Sequence, residues 1–396
     1  MPQMKVLQVI PSISGRSGGP SQAIFPMCRA LSERGVDLLL ATTDEGLSGE
    51  NGNGKHQYGQ ISNYKGQPTI FFPSQIGSSF KYSRPFAQWL NSNVVNYDLV
   101  HIHAVFNHAC IAAARACRKR DVPYIVRPLG SLDPWSMKQK SWRKKIFWHG
   151  EIKRMLNSAA AVQYTAKAEQ EATEGLLGLN HGIVVPLGVD SNFASEVFST
   201  EDFSQKSSSS HRYVLVLSRL LPTKGLDVLL EAFLSVLDQK QLENWSLVLA
   251  GEGPVEFVAR LKQMTAAANA SKQVLFPGWL EGDRKIAALR QASLLALPSY
   301  HENFGLCVLE ALACGVPVLV SPQVNLAPQV QAAGAGWVSA IDKASLAAAL
   351  ASALASEEEL LLRGEAGRIL SRKFAWPAVA GMLQGVYEEI LESKNY

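Results

Sequence analysis

Short apolar runs recur along this chain, most of them followed by a turn and an amphipathic stretch. The runs Val6–Ile10, Asp37–Thr42, Thr69–Phe72, Leu99–His103, Tyr124–Val126, Ala160–Tyr164 and Gly182–Val185 read as buried strands. Helical patterns over Ser21–Arg34 and Ile111–Arg120 fall between them. Asn192–Arg212 contains four consecutive serines, Ser207–Ser210, and little apolar periodicity, and it reads as a linker. The alternation then restarts with strands at Tyr213–Leu217, Ser246–Ala250, Val274–Phe276, Leu294–Leu297 and Val318–Ser321. Regular strand–helix alternation predicts parallel, doubly wound α/β sheets. At 396 residues the chain is too long for one ordinary core, so the restart marks a second domain. Gly46–Gly66, rich in Gly, Asn and Gln, reads as a mobile loop. Ser345–Leu362 reads as one helix and Ala378–Leu391 as the last.

Composition excludes several classes. Hydrophobic content of 47% is ordinary for a globular protein, and a net charge of +4 is small for this length and does not suggest a nucleic-acid binder. The five cysteines include no CxxC pair, and buried reduced thiols in a reducing compartment fit them. No stretch reaches the ~18 to 20 apolar residues of a membrane span, and the N-terminal apolar run is too short for a signal peptide. A cytoplasmic protein, peripheral to a membrane at most, is expected.

The sharpest chemistry is in Glu302-Asn303-Phe304-Gly305 and in Glu310, eight positions after Glu302. Eight helical residues advance about 12 Å. The two carboxylates therefore cannot share a proton or a metal, but they can hold opposite ends of an elongated polar ligand. The start of the helix Gly305–Ala313 offers exposed amides to an anion. Arg219 and Lys224 leave the carboxyl end of the strand Tyr213–Leu217, where open α/β sheets bind ligands. Gly15-Arg16-Ser17-Gly18-Gly19-Pro20 follows the first strand in the same way, with Gly18 and Gly19 allowing close backbone approach. Two such loops about 200 residues apart suggest two similar domains facing one nucleotide-like ligand.

The ordered set Ser17-Gly18-Gly19-Pro20, His101-Ile102-His103, Pro186-Leu187-Gly188-Val189-Asp190, Ser218-Arg219 with Lys224-Gly225, Gly251-Glu252-Gly253-Pro254, and Glu302/Glu310 with Ala313-Cys314-Gly315-Val316-Pro317-Val318 resembles the group 1 glycosyltransferases, retaining enzymes of GT-B fold. The resemblance implies two Rossmann-like domains facing a central cleft. Residues 1–205 would bind the acceptor and 206–375 the nucleotide sugar, with 376–396 crossing back to the first domain. It assigns Glu310 to the nucleotide ribose, Glu302 to the transferred sugar, and amides near Asn303, Phe304 and Gly305 to sugar hydroxyls or the distal phosphate. Arg219 and Lys224 would offset charge on the departing diphosphate. The backbone at Gly251 would line the nucleotide, and that around Gly278, in Phe276-Pro277-Gly278-Trp279, would read the base. No Asp-x-Asp occurs, so neither a metal nor a cofactor is expected beyond the nucleoside diphosphate sugar.

His101 and His103, alternate residues of one strand, are expected to face opposite sides, one in the core and one at the cleft; the resemblance implies that His103 is the cleft residue, near the donor sugar, and a structural histidine is the alternative. Asp133 is placed either to orient an acceptor hydroxyl or simply to start a turn before Pro134. Lys138–Arg154 interleaves seven cations with Trp142, Phe147 and Trp148. An anionic lipid surface, an acceptor diphosphate and a solvated helix with an aromatic stripe all suit it. The expected activity is metal-independent sugar transfer, with retention, to a saccharide or lipid-linked saccharide. A sugar-nucleotide epimerase and a non-catalytic sugar-binding protein are the alternatives.

Overall fold

The computed structural model describes residues 3–15, 18–47, 57–75, 80–133, 148–194, 212–238 and 244–394. The chain divides into two compact units, residues 1–188 with 376–396, and residues 189–375. The first holds β1 (Lys5–Val9), α1 (Gly19–Glu33), β2 (Asp37–Thr43), β3 (Ile61–Tyr64), β4 (Gln67–Phe72), α2 (Arg84–Asn93), β5 (Leu99–His103), α3 (His108–Arg120), β6 (Tyr124–Arg127), α4 (Lys153–Asn157), β7 (Ala161–Tyr164), α5 (Lys167–Leu177) and β8 (Gly182–Val184). The second holds β9 (Arg212–Leu217), α6 (Leu226–Asp238), β10 (Trp245–Ala250), α7 (Val255–Ala267), β11 (Val274–Gly278), α8 (Gly282–Gln291), β12 (Leu294–Leu297), α9 (Leu306–Ala313), β13 (Val318–Val320), α10 (Ala327–Ala333), β14 (Gly336–Val338), α11 (Lys343–Leu354) and α12 (Glu357–Arg372). The last helix, α13 (Trp376–Lys394), returns to the first unit and packs on α1.

Both sheets are the parallel kind that strand–helix alternation requires. The first runs β3-β4-β2-β1-β5-β6-β7-β8 and the second β11-β10-β9-β12-β13-β14. Among the described residues only the β3–β4 pair, at the edge, is antiparallel. The inner strands of each sheet are buried almost throughout, as parallel strands covered on both faces must be. One face of the first rests on an apolar core that includes Leu7, Val9, Ile102, Val126 and Val162. Val214, Val216, Leu247, Leu249, Leu294 and Ala296 line the core of the second.

Several details differ from the sequence reading. Ile61–Tyr64, inside the stretch read as a loop, is a strand, because its hairpin with β4 pairs Tyr64 with Gln67 across a tight Lys65-Gly66 turn. Ser345–Leu362 is two helices, because Ser356 caps the second by accepting from the Glu359 amide at 3.2 Å. The helices α2, α5 and α10 and the three-residue strand β14 were not read at all. The 205/206 boundary and nearly all of the serine linker fall outside the described residues. The second unit is already under way at Val189, which bridges Ala375. The two crossing points lie together, and a Cβ on Gly188 would come within 2.4 Å of the Trp376 ring. All five cysteines are free and four are buried. No helix among the described residues is long and apolar enough to cross a membrane.

Candidate active site

In the second sheet β9 lies between β10 and β12. The chain builds outward on one side through β10 and β11, then returns to start the other side with β12. That reversal makes a topological switch point between β9 and β12, the place where an open parallel sheet takes ligand at its carboxyl edge. The loops leaving these two strands carry Arg219 and Lys224 on one side and Glu302 to Gly305 on the other.

The two loops are tied directly to each other. Lys224 Nζ lies 2.5 Å from Glu302 Oε2, with both side chains largely sheltered. The Tyr300 amide donates to the Thr223 carbonyl at 2.9 Å, and Ser299 Oγ to the same oxygen at 3.2 Å. Gly225 takes φ +63, and a Cβ there would stand 2.3 Å from the Pro298 carbonyl, so only glycine allows this approach. Glu302 is pinned from behind, its amide donating to Gln323 O at 3.2 Å and its carbonyl accepting from the Asn325 amide at 3.2 Å. Asn325 Nδ2 donates to Asn303 O at 2.7 Å. Arg219 is exposed at the strand end.

Gly305, at φ +85, is the residue before α9, which starts at Leu306. The Phe304 ring is buried edge-on to Phe374, with centroids 6.1 Å apart, so this residue offers a ligand its backbone and not its side chain. Glu310 is only 5% exposed. Burial raises it above the usual carboxylate range, against the pull of Lys285, whose Nζ lies 2.6 Å from Oε1. Glu302 and Glu310 thus have separate cationic partners, in keeping with the separation their spacing requires.

Gly251 takes φ +146, and a Cβ there would fall 1.8 Å from Ser218 O. Gly253 is in the same position against Leu220 O, at 1.9 Å. Leu220 N donates to Glu252 O at 2.8 Å. These glycines are therefore spent on docking the β10 loop against the β9 loop, and they place Arg219 indirectly. Gly278, at φ +81, is different, because a Cβ there would meet open space. Its carbonyl accepts from the Gly251 amide at 2.8 Å.

The first unit corrects one expectation. His101 and His103 do not face opposite sides. Residues two apart on a strand share a face, and the two rings lie 4.2 Å apart by centroid. Both are buried, at 0% and 1% exposure. His103 Nε2 lies 2.7 Å from Gln8 Oε1, Gln8 Nε2 lies 3.2 Å from Tyr387 Oη, and Tyr387 Oη lies 2.8 Å from His101 Nδ1. An amide oxygen only accepts and an amide nitrogen only donates. His103 therefore donates from Nε2, and Tyr387 passes its proton toward His101 Nδ1. The proton of His101 is then on Nε2, which is buried and has no hydrogen-bond partner among the described residues. Burial holds both histidines well below the ordinary 6.5, with Arg127 adding to the effect. The sequence reading missed Gln8 and Tyr387, because 379 residues separate them.

Gly18, at φ +105, precedes α1, and Gly19 begins it, while Arg16 and Ser17 lie outside the described residues. At the carboxyl edge of the first sheet, Ala104 (φ +97) and Leu129 (φ +56) hold a conformation rare for residues with side chains. Such strain concentrates at functional edges. Asp133 follows this turn, its amide donating to Gly130 O at 3.4 Å. Of Lys138–Arg154, residues 138–147 lie outside the described residues. Among the described residues no His, Cys, Asp and Glu cluster suits a metal ion.

Two family descriptions match this chain. Glycosyltransferase Family 4 matches residues 17–193, and Glycosyl transferases group 1 matches residues 197–369. A D-inositol 3-phosphate glycosyltransferase of Corynebacterium jeikeium is 26% identical over 95% of this chain and 93% of its own length. The enzyme of the same description from Corynebacterium glutamicum is 28% identical, but over 46% of this chain and 45% of its own length, so the match spans about half of that relative. Among solved structures, Anabaena HepE in complex with UDP and glucose is similar, with a TM-score of 0.75 at 18% identity over 98% of this chain and 100% of that one. At that identity the likeness speaks for the fold, which is GT-B.

Proposed function

The chain belongs to the group 1 glycosyltransferases, and from that premise we propose that it moves a sugar from a nucleoside diphosphate sugar to a saccharide or lipid-linked saccharide, with retention and without a metal. The observation that carries this reading is the Lys224–Glu302 contact at the switch point, 2.5 Å between charged atoms that the sequence sets 78 residues apart. The second unit would hold the donor. Arg219 and Lys224 meet the diphosphate, Glu302 meets the sugar, Glu310 accepts from the ribose hydroxyls, and the amides at Asn303 to Gly305 complete the sugar and phosphate contacts. The first unit would take the acceptor at its strained carboxyl edge, while the backbone at Gly18 and Gly19 and the strand end at His103 would face the donor.

In the step itself the bond from the anomeric carbon to the phosphate oxygen breaks, and the acceptor oxygen bonds to that carbon from the same face. The acceptor proton goes to the departing phosphate oxygen, so no separate protein base is needed. Charge grows on the diphosphate as it leaves. Cations fixed beforehand stabilise that growth without reorganising. Glu302 holds Lys224 in place in advance, and the two cations do what a metal would do elsewhere.

The test is direct. UDP-, GDP- and ADP-sugars are screened for stabilisation against heat, where ligand at 100 times its dissociation constant adds about 2.7 kcal/mol. UDP-sugars come first, since the similar HepE structure holds UDP. The best donor is then incubated with saccharide acceptors in EDTA, and the anomer formed is read by NMR. An inverted product sinks retention. Loss of activity in EDTA, with rescue by magnesium or manganese, sinks metal independence. Donor alone yielding an epimer would establish the isomerase alternative. The basic aromatic stretch 138–154 makes a lipid-linked acceptor at the cytoplasmic face of a membrane our choice, and binding to anionic vesicles tests it.

A further inference from the structure

Lys285 stands out because nothing in the motifs announces it. It lies on α8, in Asp283-Arg284-Lys285, which in sequence resembles any solvated helix start. The fold turns it inward, on the side of the buried Ala288 and Leu289 one turn later. Its Nζ reaches Glu310 Oε1 at 2.6 Å, and the Phe193 ring lies 5.5 Å away. Arg290, further along the same helix, holds the segment that carries Phe193 by donating to Asn192 O at 2.9 Å. Lys285 is therefore braced between that segment and α9.

A carboxylate as buried as Glu310 tends to take a proton unless a cation compensates. The neighbouring titratable groups cannot supply that charge. Cys307 lies on its own helix and Cys314 caps that helix, and burial pushes each thiol up to about 12. Arg290 acts on Cys314, and Lys224 is paired with Glu302. Among the described residues, Lys285 alone bonds the Glu310 carboxylate, and it takes Oε1. Oε2 has no hydrogen bond among the described residues.

We propose that Lys285 is a positioning residue for nucleotide recognition, holding Glu310 ionised and oriented so that one carboxylate oxygen accepts from the ribose diol. This rests on the reading of Glu310 as the ribose contact. An ionised carboxylate only accepts, which is what two hydroxyl donors require. A protonated one presents a competing donor.

The probes are UDP, GDP and ADP with their 2′,3′-dideoxy forms, and the readout is the ratio of dissociation constants from pH 5.5 to 8.5. Phosphate titration is common to both members of each pair and cancels in the ratio. The unaltered protein is expected to favour the diol form at least tenfold at pH 7.5. Lys285→Gln and Lys285→Met are expected to keep that preference at pH 8.5 and lose it by pH 6, their profiles moved up by at least one pH unit. Lys285→Arg keeps the original profile. If Lys285→Met fails to fold, as judged by circular dichroism, Lys285→Gln decides. A Lys285→Gln profile that overlays the unaltered one overturns the proposal while leaving Glu310 its role. No diol preference in the unaltered protein, with Glu310→Gln equally indifferent, overturns the ribose reading and the proposal with it.

Discussion

Tyr387→Phe removes one oxygen atom and leaves two buried groups stranded. In the native chain the Tyr387 hydroxyl accepts from Gln8 Nε2 at 3.2 Å and meets His101 Nδ1 at 2.8 Å. Gln8, His101 and Tyr387 are all fully buried. Phenylalanine keeps the ring in place, so no water enters to replace the lost oxygen. A buried polar group left without its partner costs about 1–3 kcal/mol. Two such groups give about 2–6 kcal/mol, less whatever desolvation of the hydroxyl itself is recovered, so about 2–4 kcal/mol is expected. For a unit built from residues 1–188 and 376–396, each kcal/mol moves a melt by about 2–4 °C. The apparent melting midpoint should therefore fall by roughly 5–15 °C, measured by calorimetry and by circular dichroism. Tyr58→Phe is the control. Its hydroxyl bonds Asp44 at 2.6 Å but is exposed, so water replaces the lost partner and the midpoint should move by less than about 1 °C. If Tyr387→Phe also melts within 1 °C of the unaltered protein, the network does not hold α13 to the sheet.

The histidines predict a pH dependence with a definite sign. His101 and His103 are neutral in the folded state, their affinity for protons depressed below the ordinary 6.5. The unfolded chain binds more protons once pH falls through 6.5, so stability should drop by about 2 kcal/mol between pH 6.5 and 5.5. Glu169 and Glu310, raised by burial, run the other way, so the comparison that isolates the effect is His103→Gln, which should lose about half of the slope in urea melts. Gly251→Ala drives a Cβ into Ser218 O, 1.8 Å away. It should weaken nucleoside diphosphate binding at least tenfold by calorimetry, and unchanged binding would mean the β9 and β10 loops are not coupled. Arg219→Ala and Lys224→Ala should each lower turnover about 100-fold with the fold intact, and activity within threefold for both would end the phosphate-clamp assignment. Glu310→Ala should raise the donor KM more than it lowers kcat, and Glu302→Ala the reverse. The opposite pattern in steady-state kinetics would exchange their roles.

Much of the fold was legible because parallel strands announce themselves. A run such as Val214-Leu215-Val216-Leu217 can only be a buried strand or a buried helix segment, and the turn after Leu217 decides for the strand. Short pieces such as Gly336–Val338 carry too few residues to show a period. Arg219, Lys224 and Glu302 could be singled out because each sits beside a turn, and Glu310 by its spacing from Glu302. Lys285 could not be read this way, since it meets Glu310 only through packing. Two clues to it existed: a glutamate inside the apolar run Leu306–Ala313, and a lysine on the face of Ala288 and Leu289. The shared face of His101 and His103 follows from strand parity alone, since residues two apart point to the same side.

The return of α13 to the first unit has a consequence for the order in which this protein can be made. Residues 189–375 form an insertion within the first unit, contiguous in the chain and able to close as soon as they emerge from the ribosome. The first unit cannot be completed then. Gln8 and His101 wait for Tyr387, which is translated 379 residues after Gln8. At 5–20 residues per second, the stretch from Gly188 to Trp376 alone takes roughly 10–40 s. Throughout that interval the polar face of the first sheet stands open to water, chaperones and proteases. A nascent chain arrested near Ala375 should therefore carry a protease-resistant second half and a first half that is still cleaved.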